Sequence, residues 1–193
     1  DKPVMVGIDW GKAHDSTVLT TVNENYEIIA MYEWQGDDYD SQINEIAQLL
    51  QNDFRSILRV YCDSTGTQDM AVDVLRKKLF FLQANQVVGI KFTEQSKDLL
   101  FKNLNRLMKD FRHGEEIIEP AKLKIPLVYD SVRKGKFLKQ MIDLQKEIKN
   151  GLWACSHPEG DQYHDDYACS LALAVYDFRP QMDAVRSITF HIA

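Results

Sequence analysis

Residues 164 to 178 read HDDYACSLALAVYDF, and this run constrains the fold more than any other part of the chain. After His164, Asp165 and Asp166, the segment from Tyr167 to Val175 is apolar or small at almost every position. A helix that is apolar all round is enclosed by protein rather than laid on a surface. Carboxylates at the mouth of such a helix are costly unless something compensates them. At helical spacing Asp165 aligns with Ala168, Cys169, Ala172 and Tyr176, and Asp166 with Cys169, Ser170 and Leu173. Both faces carry small residues that let the helix pack close to a sheet, so spacing alone does not select one acid over the other. At 193 residues the chain is expected to form a single domain with a substantial core.

The opening VMVGID sets Val4, Val6 and Ile8 against Met5, Gly7 and Asp9, the alternation of a buried strand. Two β-rich runs separated by the polar NENY follow and predict a hairpin. Ile43, Ile46, Ala47 and Leu50 predict a helix from Asp40 to Asn52. SILRVYCDSTG reads as a strand ending at Asp63 in a Ser-Thr-Gly turn. A helix over Gln68 to Lys78, the strand QVVGIKF and a basic helix from Glu94 to Arg112 come next. That helix is expected to point Leu99, Leu100, Leu104, Leu107 and Met108 at the core. A helix from Lys136 to Lys149, a short strand GLWACS and the loop HPEGDQY lead to the last helix. Three strands in a meander followed by alternating strands and helices define an α/β class, a mixed sheet flanked by helices.

The formal charge of -6 does not by itself suggest a polyanion partner. Its distribution does: Arg76 to Lys149 holds seventeen Lys/Arg against nine Asp/Glu, so a basic middle lies between acidic flanks. That asymmetry suits a polyanion track passing an acidic centre, and solvated helix faces produce the same pattern. Cys62, Cys155 and Cys169 form no CxxC pair, which argues against a disulfide framework or structural zinc and for a reducing, intracellular setting. No apolar run approaches ~18 residues, so no membrane span is expected. The abrupt entry into a strand at DKPVMVGIDWG has the look of an excised domain.

Three acidic positions sit where regular elements begin or end: Asp9, Asp63, and the Asp165/Asp166 pair. In open α/β sheets ligands gather outside the strand ends, so Asp9 and Asp63 become neighbours if their strands are adjacent and parallel. Clustered carboxylates repel one another, a divalent cation reverses that penalty, and hard oxygen ligands suit Mg²⁺ or Mn²⁺. Gly7 and Gly11 clear side chains from around Asp9, leaving backbone open to a phosphate or metal. Taken singly, an Asp before Gly is turn chemistry and an Asp at a helix start is a cap.

GIDWGKAHDST, VYCDSTG and HDDYACSLALAVY, in this order, resemble the nuclease domain of the large terminase subunit of tailed bacteriophages, within the ribonuclease H-like superfamily. The resemblance spans essentially the whole chain, residues 1 to 193, as one domain. It implies a sheet of three antiparallel strands followed by parallel ones, and an acidic cluster binding two divalent ions, Mg²⁺ or Mn²⁺. Asp9 and Asp63 would be metal ligands and catalytic residues, with the third ligand at Asp165 or Asp166. Asp15 and His164 would have supporting roles. The implied activity is two-metal hydrolysis of double-stranded DNA, with ions roughly 3.5–4 Å apart activating water and stabilising the leaving 3′ oxygen. Lys91, Lys97, Arg106, Lys134 and Lys136 would position the DNA backbone without reading sequence. The resemblance further implies an ATPase motor in the same full-length subunit, a small terminase subunit and a portal as partners, action in the host cytoplasm, and a monomeric isolated domain. No G-x-x-x-x-G-K-[ST] occurs in this chain, so ATP hydrolysis is not expected of it. Two other readings compete: an actin- or sugar-kinase-like nucleotide-binding domain opening on GIDWG, and a non-catalytic DNA-clamping module of a packaging motor.

Overall fold

The computed structural model describes residues 2–11, 15–36, 38–125, 131–160 and 163–178, with the backbone alone for 131–134. A five-stranded sheet, ordered β3-β2-β1-β4-β5, forms its centre. β1 (Val4–Asp9), β2 (Thr17–Asn23) and β3 (Ile28–Trp34) make the antiparallel meander. β4 (Ile57–Asp63) and β5 (Val87–Ile90) add on parallel to β1, so the mixed sheet is the one expected.

The period-2 alternation of β1 decides what lies on each side. Val4, Val6 and Ile8 join Leu19, Val60 and Cys62 in a core closed by α1 (Tyr39–Asp53) and α2 (Gln68–Lys78). The opposite face, with Val18, Val22 and Tyr61, packs against α3 (Glu94–Met108) and α5 (Asp166–Ala174). All nine residues of α5 are buried, as its composition requires. Gly7 is the reason it fits: a Cβ there would lie 2.0 Å from the Ser170 carbonyl oxygen and 2.3 Å from the Ala174 nitrogen. Thr20 Oγ1 and Ser170 Oγ, 2.7 Å apart, tie β2 to the same helix.

Several expected boundaries move. The helix expected over Lys136 to Lys149 is α4 (Ser131–Asp143) followed by β8 (Gln145–Lys149), which pairs with β9 (Leu152–Ser156) in a hairpin separate from the main sheet. Asn150 and Gly151, at φ 53° and 79°, form the two-residue turn whose left-handed geometry matches strand twist. The basic helix stops at Met108, and β6 (Phe111–His113) and β7 (Glu116–Glu119) form a second small hairpin around Gly114 at φ 63°. Leu99, expected in the core, is 42 % exposed, on the flank of α3 opposite Leu100 and Leu104. The last helix is shorter than the apolar run, ending at Ala174 before a 3₁₀ turn over Tyr176–Phe178. Among the described residues no helix is long and apolar enough to cross a membrane.

Candidate metal centre

The parallel register pairs Ile8 with Cys62, so Asp9 and Asp63 leave adjacent strands side by side at their carboxyl ends. Alternation puts both on the α5 face, Asp9 in step with Gly7 and Asp63 in step with Tyr61. The amino end of α5 arrives at the same place because the small-residue packing over Gly7 draws the helix onto β1. Asp165 is its N-cap residue and Asp166 its first helical residue. Asp165 makes no side-chain cap bond, so capping does not account for it. Instead Gln140 Oε1 on α4 accepts the Tyr167 N–H at 2.8 Å.

Each carboxylate is held differently. Asp9 is 9 % exposed and no hydrogen bond to its carboxylate is found among the described residues. Burial, then the charges of Asp166, Asp63 and Asp165, push its pKa well above the usual carboxylate range, against a smaller opposing pull from Lys97. Asp63 Oδ1 accepts the Thr65 N–H at 2.9 Å and the Thr65 hydroxyl at 2.5 Å. Thr65 Oγ1 also accepts the Phe92 N–H at 2.8 Å, linking the β4 turn to the segment after β5. The pKa of Asp166 is pushed up to about 7 by burial and by the charges of Asp15 and Asp165, against smaller lowering influences from His164 and the Ser16 backbone N–H.

The backbone under Asp9 is clamped on three sides. The Gly11 N–H donates to Thr17 Oγ1 (3.0 Å), Tyr39 OH donates to the Gly11 carbonyl (2.5 Å), and Gln68 Nε2 donates to the Trp10 carbonyl (2.7 Å). A side chain at Gly11 would strike the Asp15 carbonyl oxygen, which a Cβ would approach to 2.3 Å. These contacts fix where Asp9 points before any ligand arrives.

The remaining sequence-derived residues divide. His164 Nδ1 lies 3.4 Å from Asp15 Oδ1, and Asp15 acts on Asp166, so both border the acidic cluster. Lys97 on α3 also faces it: burial lowers its pKa, and the negative charges of Asp165, Asp9 and Asp63, with Cys169, outweigh that and raise it overall. Lys91 is paired at the surface with Asp69 (3.3 Å), and Lys136 with Glu33 (2.7 Å). Arg106 lies at the other end of α5, donating to the Phe178 carbonyl at 2.5 Å, where it secures the chain's exit from the helix. The Lys134 side chain lies outside the described residues. Glu33 and Thr65 escaped the sequence reading. Glu33 holds the Ser16 hydroxyl, Lys136 and the Tyr167 hydroxyl together, yet a glutamate in an exposed-looking strand gives no local signal.

The donor set consists of hard carboxylate oxygens, suited to Mg²⁺ or Mn²⁺. Among the described residues no three Asp, Glu, His or Cys side chains are gathered closely enough to hold an ion as they stand. The acids feel one another's charge across a desolvated space, and like charges so placed repel.

A mixed sheet with three antiparallel and two parallel strands, sandwiched by helices and carrying acids at its central strand ends, is the ribonuclease H-like fold. Solved structures that share it include two of the large terminase nuclease from thermophilic phage G20c. One has a TM-score of 0.62 with 19% identity over 91% of this chain and 82% of that chain. A second, with bound magnesium, has a TM-score of 0.66 with 19% identity over 92% of this chain and 82% of that one. No protein-family profile matches the sequence. No curated protein matches it.

Proposed function

We propose that the chain is a metal-dependent endonuclease that hydrolyses phosphodiester bonds of double-stranded DNA during viral genome packaging, without sequence preference. The observation that carries this reading is Asp9, a nearly buried carboxylate with no hydrogen-bond donor among the described residues, facing Asp63, Asp165 and Asp166. Such a cluster is costly as four bare anions and favourable around a cation. The share of fold with a terminase nuclease solved with magnesium supports the choice of metal.

Asp9, Asp63 and the Asp165/Asp166 pair would hold two divalent ions, Mg²⁺ or Mn²⁺, which supply a water nucleophile at neutral pH and charge stabilisation at the leaving oxygen. Asp9, from the central strand, would be the central ligand of this set. Thr65 orients Asp63. Asp15 and His164 flank Asp166 as supporting groups. Lys97 offers a positive charge to the DNA backbone at the edge of the cluster. The chain acts as one nuclease domain, residues 1 to 193, of a larger terminase subunit. Its ATPase portion, the small subunit and the portal are its partners in the host cytoplasm.

The test is cleavage of supercoiled plasmid in Mn²⁺ or Mg²⁺, beside chelator and Asp9→Asn controls. Nicking that requires both the metal and Asp9 is expected. Cleavage at wild-type rate in the Asp9→Asn or Asp63→Asn variant would remove the proposal, and DNA binding without cutting in any metal would favour a clamp.

A further inference from the structure

Beside the acidic cluster lies a cavity of about 420 Å³ between the start of α3 and the β8–β9 hairpin. Asp63 and Thr65 form its inner end, Phe92 and Lys97 one wall, Lys149 and Trp153 the other. Its volume falls in the range of small-ligand pockets, about 300–1,000 Å³, and it has no room for a base-paired segment.

The walls are chemically divided. Lys97 lies with its ammonium 5.3 Å from the Phe92 ring centre and has no ion-pair partner among the described residues. A partly buried ammonium without a paired carboxylate is positioned to meet an anion entering the cavity. Lys149 shares the opposite wall, at the exposed rim with its partner Glu147 (2.9 Å). Glu94 is also at the rim, so the positive charge is concentrated inward, toward Lys97. Between these cations Phe92, Leu152 and Trp153 present apolar surface.

Trp153 is fixed in place. Its backbone N–H donates to Asp98 Oδ1 on α3 at 2.7 Å, and Asp98 is itself paired with Lys102. The indole separates this cavity from a second one, which Lys146 lines with its ammonium 4.3 Å from the ring centre. The strand that carries the aromatic wall is therefore anchored to α3, whose Lys102 ammonium also lies 5.8 Å from the indole ring centre. Aromatic surface beside a phosphate-holding cation recurs in single-strand binding, where it tolerates any base because every base has a π-face.

We propose that this cavity is the subsite for one unpaired nucleotide of the strand being cut, its phosphate held by Lys97 and its sugar and base received by Phe92, Leu152 and Trp153. This rests on the nuclease reading, because Asp63 belongs to both the cavity and the acidic cluster. It deepens that reading by naming the substrate form: duplex DNA is engaged where it is locally unpaired, one strand at a time. A base inside an intact duplex must first leave its stack, and unpaired or mismatched positions escape that cost.

The experiment compares labelled duplexes with and without a central unpaired bubble, binding being read by anisotropy in Ca²⁺ and cleavage in Mn²⁺. The bubble substrate is expected to bind about tenfold tighter than the duplex and to be cut within or beside the bubble. Lys97→Gln is expected to weaken bubble binding and to flatten its salt dependence by about 0.7 in log-log slope, with Lys97→Arg restoring both. A 2-aminopurine in the bubble should change its emission on binding to the wild type and not to Trp153→Leu. Equal binding and cutting of duplex and bubble overturns the subsite and leaves the nuclease reading standing. Preferential bubble binding with no cutting in any metal overturns the nuclease reading and leaves the subsite.

Discussion

Replacing Asp166 by Asn removes a carboxylate that the fold holds against its own electrostatics, and the consequence depends on pH. Burial and the neighbouring Asp15 and Asp165 charges raise its pKa from 3.8 to about 7. The folded state therefore holds a proton that the unfolded state has released, and stability falls as pH rises from about 4 through about 7. At 1.36 kcal/mol per pKa unit, this three-unit shift sets a ceiling of about 4 kcal/mol on the cost of the ionised side chain above pH 7. Asn keeps the shape without the charge. The variant should match the wild type near pH 4 and melt on the order of 10 °C higher at pH 8 in chelator, by thermal denaturation followed by circular dichroism. Adding Mg²⁺ at pH 8 should raise the wild-type midpoint more than the variant's, because the wild type offers the ion a fourth carboxylate beside Asp9, Asp63 and Asp165. The reasoning fails if the variant is no more stable than the wild type at pH 8, or if Mg²⁺ raises both midpoints equally.

Gly7→Ala places a Cβ against the Ser170 carbonyl and the Ala174 nitrogen, so α5 must withdraw. A loss of about 3 kcal/mol in denaturant unfolding, with cleavage abolished, is expected, and a neutral result would contradict the close packing. Thr65→Val deletes the hydroxyl that donates to Asp63 and accepts from Phe92. Calorimetric Mn²⁺ affinity should drop about 10- to 100-fold, and an unchanged affinity would mean that Asp63 needs no orienting partner. Arg106→Ala should cost about 1–3 kcal/mol of stability, through loss of its bond to the Phe178 carbonyl, while the DNA affinity of the folded variant stays at the wild-type value. A reduced salt dependence of DNA binding would instead make Arg106 a phosphate contact.

The strands around the centre were legible because their signals are local. Alternation in VMVGID, the polar break between β2 and β3 and the apolar run of α5 each specify an element within a few residues. The strand GLWACS was legible as β9, but β8 and its pairing were not, although Asn150-Gly151 signals the turn, because the Lys, Gln and Leu content of residues 136 to 149 also suits a helix. Leu99 went the same way: helical spacing identifies an apolar flank without saying how wide a flank the neighbouring elements cover. The basic middle segment was legible as composition, while the partners its side chains take were not. Arg106 faces the chain's own carbonyl, and Lys91 and Lys136 face the chain's own acids.

The sequence by itself determined that a nearly wholly apolar helix begins in acids, that two strands end in aspartate, and that glycines clear space beside one of them. These follow from side-chain chemistry and periodicity, which need only neighbouring residues. Tertiary structure alone decided that β4 lies parallel to β1 in the register that sets Asp63 beside Asp9. It also decided that α5 crosses Gly7 closely enough to bring Asp166 there, and that Lys97 turns inward while its fellow lysines pair outward. Those outcomes depend on strand order and on contacts between residues tens of positions apart, where burial, register and backbone clearance must be satisfied together.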